Sequence, residues 1–165
     1  MEIRQVRLAE AGRLRALRLR ALQDTPEVFF SSLDSEQRLP TAYWESWAGA
    51  DERRATFVAA EDGEWVAMAG ACVHPEKAGT VSLWWLWVAP AARNRGLVRR
   101  FLQVQTEWAR RYGATRLELA VAETNEAARA LYQRLGFVPT GERRSMASDP
   151  ARVGIFMEHV LPPDQ

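Results

Sequence analysis

An apolar run from Val81 to Val88 is joined by a short, Arg-rich, Gly-containing loop to a helix-patterned run from Gly96 to Tyr112. Leu97, Phe101, Val104 and Trp108 recur at the spacing of one helical face, and Gly113 is placed to end that helix. No other stretch constrains the chain as strongly. A strand that feeds a helix through a tight loop leaves the helix's first N–H groups unpaired and aims the positive end of its dipole at the same spot. Such a loop is a ready anion site, and the ligand it suits is a phosphate or pyrophosphate. Arg93, Arg95, Arg99 and Arg100 surround it. Taken as charge alone, the same arginines read equally well as a solvated helix start.

The rest of the chain supplies elements of both kinds. Ile3 to Leu8 alternates as a strand. From Ala9 the period changes: Leu14, Leu17, Ala21 and Leu22 share a helical face, with Arg13, Arg15, Arg18 and Arg20 around the remainder. Asp24-Thr25-Pro26 ends that helix. Phe29-Phe30-Ser31-Ser32 reads as a loop. One helix is expected over Ser35–Arg38 and another after Pro40, with Tyr43, Trp44 and Trp47 as its apolar face. Ala55–Ala60 and Glu64–Val73 form a hairpin about Glu61-Asp62-Gly63. Arg116–Val121 alternates as a strand. Thr124 or Asn125 caps a helix that runs to Leu135 and closes at Gly136. Two last strands, Phe137–Thr140 and Val153–Leu161, are separated by the polar stretch 141–152. This order is that of a mixed α/β fold, expected as one domain over 1–165. Strand alternation puts Trp85 and Trp87 on one face and Trp84 on the other.

Composition excludes several classes. The net charge of +1 gives no strong pull toward nucleic acid or a membrane surface. No stretch approaches the ~18–20 apolar residues of a membrane span. His74 and His159 are the only histidines and Cys72 the only cysteine, so no metal site is expected. A single cysteine also forms no disulfide within the chain, which fits a reducing cytoplasm. The N-terminal Met1-Glu2-Ile3-Arg4-Gln5 lacks the apolar core of a secretory signal.

Two motifs then act together. Val88-x-Pro90-x-x-Arg93-x-x-Gly96 is followed, about thirty residues on, by Asn125-x-x-Ala128-x-x-Leu131-Tyr132-x-x-x-Gly136-Phe137. With this order and spacing the chain resembles the GCN5-related N-acetyltransferase superfamily over nearly its whole length. The resemblance implies an α+β fold whose central, mostly antiparallel sheet splays apart at a cofactor site and is flanked by helices. It implies acetyl-coenzyme A as donor and no metal. Arg93, Asn94, Arg95, Gly96, Leu97 and Val98 would wrap the pyrophosphate. Backbone groups of Leu86, Trp87 and Val88 would bond the pantetheine arm, and Asn125 would bond nearby, one turn of helix from Ala128. Tyr132 would lie beside the thioester sulfur. Two positions depart from the family pattern: Asn94 stands where glycine is common, and β-branched Val98 replaces a small residue and so crowds the pyrophosphate. A homodimer through the C-terminal strands is a further implication.

Acetyl transfer to an amine needs a proton acceptor, a stabilised oxyanion and a proton for the departing thiolate. Tyr132 is the candidate acid and the Val88 N–H the candidate oxyanion donor. Val81–Val88 carries no acidic residue. The base is therefore Glu36, Glu118 or a chain of water. Phe29, Phe30, Glu36 and Trp85 are the candidate acceptor residues. The acceptor expected is a primary amine of a small molecule, amino acid or peptide. The competing reading is a non-catalytic module that holds acyl-coenzyme A on the same fold.

Overall fold

The computed structural model describes residues 1–163. Seven strands form one sheet in the order β1-β2-β3-β4-β5-β7-β6. They are β1 (Glu2–Gln5), β2 (Arg54–Glu61), β3 (Glu64–Val73), β4 (Thr80–Val88), β5 (Arg116–Ala122), β6 (Val138–Met146) and β7 (Asp149–Val160). Every neighbouring pair is antiparallel except β4 with β5. That parallel pairing covers only Thr80–Ser82 against Arg116–Glu118. Beyond it the two central strands part.

Helices cover both faces. On one side lie α1 (Ala11–Asp24), α2 (Leu33–Glu36) and α3 (Thr41–Glu45), the last continued to Ala50 by a wider turn. Leu14, Leu17, Ala21 and Leu22 of α1 pack there with Trp44, Trp47, Val58, Met68, Trp85 and Trp87. On the other side α4 (Leu97–Arg111) sets Leu97, Phe101 and Trp108 against Ala55, Phe57, Ala67, Ala69 and Leu117. α5 (Glu126–Arg134) adds Ala128 and Tyr132 to that layer. The run of alanines in β2 and β3 lets α4 approach closely, and Gln105 of α4 donates through Nε2 to the Gly70 carbonyl at 2.8 Å in the interior. No helix among the described residues is long and apolar enough to cross a membrane.

The structure corrects the sequence reading at four places. The first strand ends at Gln5, and Leu8–Glu10 is a single tight helical turn. The polar stretch 141–152 is not a separator: β6 and β7 run through it and turn at Ala147-Ser148. Nearly all of β6 is exposed at the sheet edge, so Glu142, Arg143 and Arg144 carry no apolar alternation to betray a strand. Arg18 does not lie on the solvated side of α1. It sits four residues from both Leu14 and Leu22, on the core face, and is only 3% exposed.

The fourth correction concerns the tryptophans. Met68 pairs with Trp87 but Gly70 pairs with Trp84, so β4 holds one extra residue. Trp85 takes φ +67° at this bulge. A bulge breaks alternation, and Trp84 emerges on the same face as Trp85 and Trp87. A Cβ built on Gly70 would lie 3.2 Å from the Trp47 ring and 3.6 Å from the Trp84 Cβ.

Two glycines give opposite expectations for stability. Gly136 closes α5 at φ +97°, and an added Cβ would meet His159 Cε1 at 2.9 Å. Gly136→Ala is expected to cost about 1–3 kcal/mol. Gly12 lies inside α1 with nothing within 4 Å of an added Cβ. Gly12→Ala is expected to gain about 0.5–1 kcal/mol. Urea unfolding midpoints, at constant slope, check both.

Candidate active site

The gap between β4 and β5 holds two cavities, of about 550 and about 490 Å³. Val28, Leu86, Val98 and Leu131 line both, so the two meet. The first lies over the loop into α4 and is lined by Leu86, Trp87, Val88, Arg93, Asn94, Gly96, Leu97 and Val98. The second runs under the diverging strands and is lined by Leu86, Val98, Asn125, Ala128 and Tyr132, with Phe29, Phe30, Glu36 and Trp85 at its other end. Of the residues singled out from sequence, Arg100 reaches neither and donates to the Met1 carbonyl at 3.0 Å, and Arg95 reaches neither. Its guanidinium bonds Glu61 Oε2 at 2.8 Å and the Ala91 carbonyl at 3.0 Å.

The loop's shape comes from backbone conformation rather than from arginine side chains. Asn94 (φ +63°) and Gly96 (φ +75°) are both left-handed. Asparagine is among the few non-glycine residues that adopt this conformation readily, which accounts for Asn94 at a position where glycine is common. A Cβ on Gly96 would meet nothing within 4 Å, so the space in front of the first turn of α4 is an open cradle. The Arg93 side chain folds back instead of reaching into it. Its Nε donates to the Val88 carbonyl at 2.9 Å and its Nη2 to Asp24, which also accepts from Trp87 Nε1 at 3.0 Å. The indole and the guanidinium hold the Asp24 carboxyl below its ordinary range. Arg93 thus fastens the loop to the end of α1.

Val88 pairs with Ala67, while the Ala89 N–H donates to the Val66 carbonyl at 2.7 Å. This is the spacing of a pair that does not itself exchange hydrogen bonds. The Val88 N–H is therefore directed away from β3 and into the gap. Across the gap Asn125 caps α5, its Oδ1 accepting from the Ala128 N–H at 3.2 Å. Tyr132 lies two turns along, edge-on to Phe137 with ring centroids 5.5 Å apart. Burial pushes its phenol well above the ordinary value, so the hydroxyl stays protonated.

Two carboxylates face the second cavity, each already paired. Glu118 of β5 is buried, and Oε2 accepts from Lys77 Nζ at 2.7 Å. Lys77, which also bonds Glu142 at 3.0 Å, is raised above its ordinary value by these two partners. Glu36 accepts from Arg18 Nε at 2.9 Å and Nη2 at 2.8 Å, and both side chains are 3% exposed. The far wall is closed by the segment carrying Phe29 and Phe30. Ser148, at the turn between β6 and β7, donates its N–H to the Phe30 carbonyl and its hydroxyl to the Phe29 carbonyl, both at 2.8 Å. The Phe30 ring lies where Gly154 leaves no room for a side chain.

Sequence reasoning missed Arg18, Lys77 and Trp84. The signal for Arg18 was its helical spacing from Leu14 and Leu22. Lys77 offered only its rarity, as the chain's sole lysine, and Trp84 depended on a bulge that no pattern announced.

Solved structures share this architecture. The acetyltransferase of the GNAT family from Streptococcus pneumoniae superposes with a TM-score of 0.77 at 24% identity, covering 98% of this chain and 99% of that one. The Salmonella typhimurium protein yncA, solved with its cofactor acetyl-CoA, superposes with a TM-score of 0.77 at 21% identity, covering 100% of this chain and 96% of that one. Among curated proteins, mycothiol acetyltransferase of Beutenbergia cavernae is 35% identical over 79 residues, which is 48% of this chain and 27% of that protein. L-2,4-diaminobutyric acid acetyltransferase of Marinococcus halophilus is 35% identical over 78 residues, 47% of this chain and 45% of that protein. The match spans less than half the length of the curated relatives. The model of the Acetyltransferase (GNAT) family matches residues 18–137, and the chain belongs to that family.

Proposed function

We propose that the chain is an N-acetyltransferase that moves an acetyl group directly from acetyl-coenzyme A to a primary amine of a small molecule, amino acid or peptide. The observation that carries this reading is the continuity of the groove. The open cradle at Gly96 leads past the Val88 N–H to a cavity where Tyr132 and Glu118 both stand. The cradle suits a pyrophosphate, since a left-handed loop in front of a helix start presents backbone donors and the space is clear of side chains. Leu86, Val88 and Asn125 flank the narrower path that would take a pantetheine arm.

Bound there, acetyl-coenzyme A supplies an acyl group activated as a thioester. The chain's own residues supply the rest. The Val88 N–H donates to the oxygen that gains charge during attack. The Tyr132 hydroxyl, kept protonated, donates toward the leaving sulfur. Glu118 holds the acceptor ammonium through its second oxygen and takes its proton. Glu36 is less suited to that role, because both its oxygens are committed to Arg18. Val98 favours the alternative of a binding module without turnover, since its branched side chain lines both cavities where the family has a small residue. Release of free thiol from acetyl-coenzyme A across an amine panel separates the two readings.

Three substitutions test the assignments. Gly96→Val is expected to raise the Kd for acetyl-coenzyme A at least about tenfold by calorimetry, because a branched residue strains the left-handed turn by about 1–3 kcal/mol and occupies the cradle. Unchanged affinity in a folded variant removes the cradle assignment. Tyr132→Phe keeps the ring against Phe137 and is expected to lower kcat by about 10–100-fold with little change in cofactor affinity. A steady kcat makes Tyr132 a packing residue. Glu118→Gln is expected to lower kcat/KM by about 10²-fold near neutral pH and to recover as pH rises and the acceptor sheds its own proton. A pH-independent loss would mean that Glu118 only shapes the wall.

A further inference from the structure

Arg18 presents an unusual imbalance. Its guanidinium carbon lies over the Phe29 ring, 4.4 Å from the centroid, and over the Trp85 ring, 5.0 Å from the centroid. Nε and Nη2 are spent on Glu36, whereas Nη1, shielded from bulk water, has no hydrogen-bond partner among the described residues. A buried donor without a partner is costly, more so on a charged group, and folded proteins carry few of them. The side chain also forms part of the wall of the second cavity, which Glu118 lines as well. A cavity with a leftover donor in its wall is complementary to a ligand with an acceptor oxygen.

The charge of that oxygen follows from Glu36. The fork of two hydrogen bonds already matches the guanidinium's positive charge. A ligand carboxylate would leave the buried cluster with an uncompensated negative charge, whereas a neutral carbonyl oxygen would fill the donor and leave the pair balanced. The flanking surfaces, from Phe29, Tyr43, Trp47, Trp85 and Phe156, call for an apolar or aromatic side chain on the acceptor. We propose that Arg18 receives a neutral carbonyl oxygen of the acceptor, so that the site takes aminoacyl amides with apolar or aromatic side chains in preference to the free amino acids. This deepens the transferase reading and rests on it for the name of acceptor.

The test compares three amines that share one ring: phenethylamine, L-phenylalanine and L-phenylalaninamide. Calorimetry is run on the protein saturated with coenzyme A, which carries no acetyl group and so permits binding without turnover. Phenylalaninamide is expected to bind at least about tenfold tighter than either of the others, the worth of one hydrogen bond to a charged donor. In Arg18→Lys, which keeps a positive charge for Glu36 but loses the free donor of the fork, amide affinity is expected to fall to the level of phenethylamine. In Glu36→Gln the guanidinium is no longer neutralised, and the preference is expected to move from the amide to phenylalanine. Equal binding of amide and phenethylamine to the native protein overturns the proposal. So does tightest binding of phenylalanine, or an amide preference that survives in Arg18→Lys. A phenylalanyl tripeptide amide in the same panel separates a free amide from a peptide N-terminus as the source of the carbonyl. If no acceptor releases thiol from acetyl-coenzyme A, the transferase reading fails, while a measured amide preference in binding still upholds the role of Arg18.

Discussion

Beyond Ser82 and Glu118 the facing edges of β4 and β5 no longer pair, although both strands continue in the middle of the sheet. An interior sheet edge exposes N–H and C=O groups that must find partners or water. Here the parting is held open from both sides. The bulge at Trp84-Trp85 turns the β4 backbone and throws its indoles toward α1 and α3. On the other face α4 is drawn against β3 by Gln105 and by the alanines beneath Phe101. The groove is what remains between these two layers. Its walls are strand backbones, and its mouth is the left-handed loop that starts α4.

That geometry divides labour among residue types. The cradle relies on backbone conformation at Asn94 and Gly96, so its arginines are free to act as struts: Arg93 ties the loop to α1 and Arg95 ties it to Glu61. A loop whose donors aim at one point gains from being immobile, since a ligand then has less ordering to bring about. The acceptor end relies instead on side chains from distant parts of the chain, with Arg18 and Glu36 before the sheet begins in earnest and Lys77 and Glu118 within it.

This division also decides what could be read from sequence. Helix and strand order followed from periodicity because α1, α4 and β2–β5 each bury an apolar face. The residues expected to hold a cofactor came from two local motifs, and all but Arg95 line the groove. The ends of β6 and β7 were read as strands, but their continuation through 141–152 was illegible because an exposed edge imposes no alternation. Trp84 was misplaced because one inserted residue reverses parity for everything beyond it. The acceptor wall is made of contacts between residues far apart in the chain, which no short pattern encodes.

The pairing of Lys77 with Glu118 bears on the chemistry more than its distance alone conveys. Lys77 Nζ takes one oxygen of Glu118 at 2.7 Å, which leaves the second oxygen for a ligand ammonium. Lys77 divides its charge between Glu118 and Glu142, the latter also bonded by Arg144 at 3.2 Å, so the hold on Glu118 is partial. Glu36 lacks that latitude, being bonded through both oxygens to one buried guanidinium. Two carboxylates facing one cavity therefore differ in freedom: Glu118 keeps one oxygen for a ligand, whereas both oxygens of Glu36 are spent on a charge partner. Environment rather than residue type sets that difference.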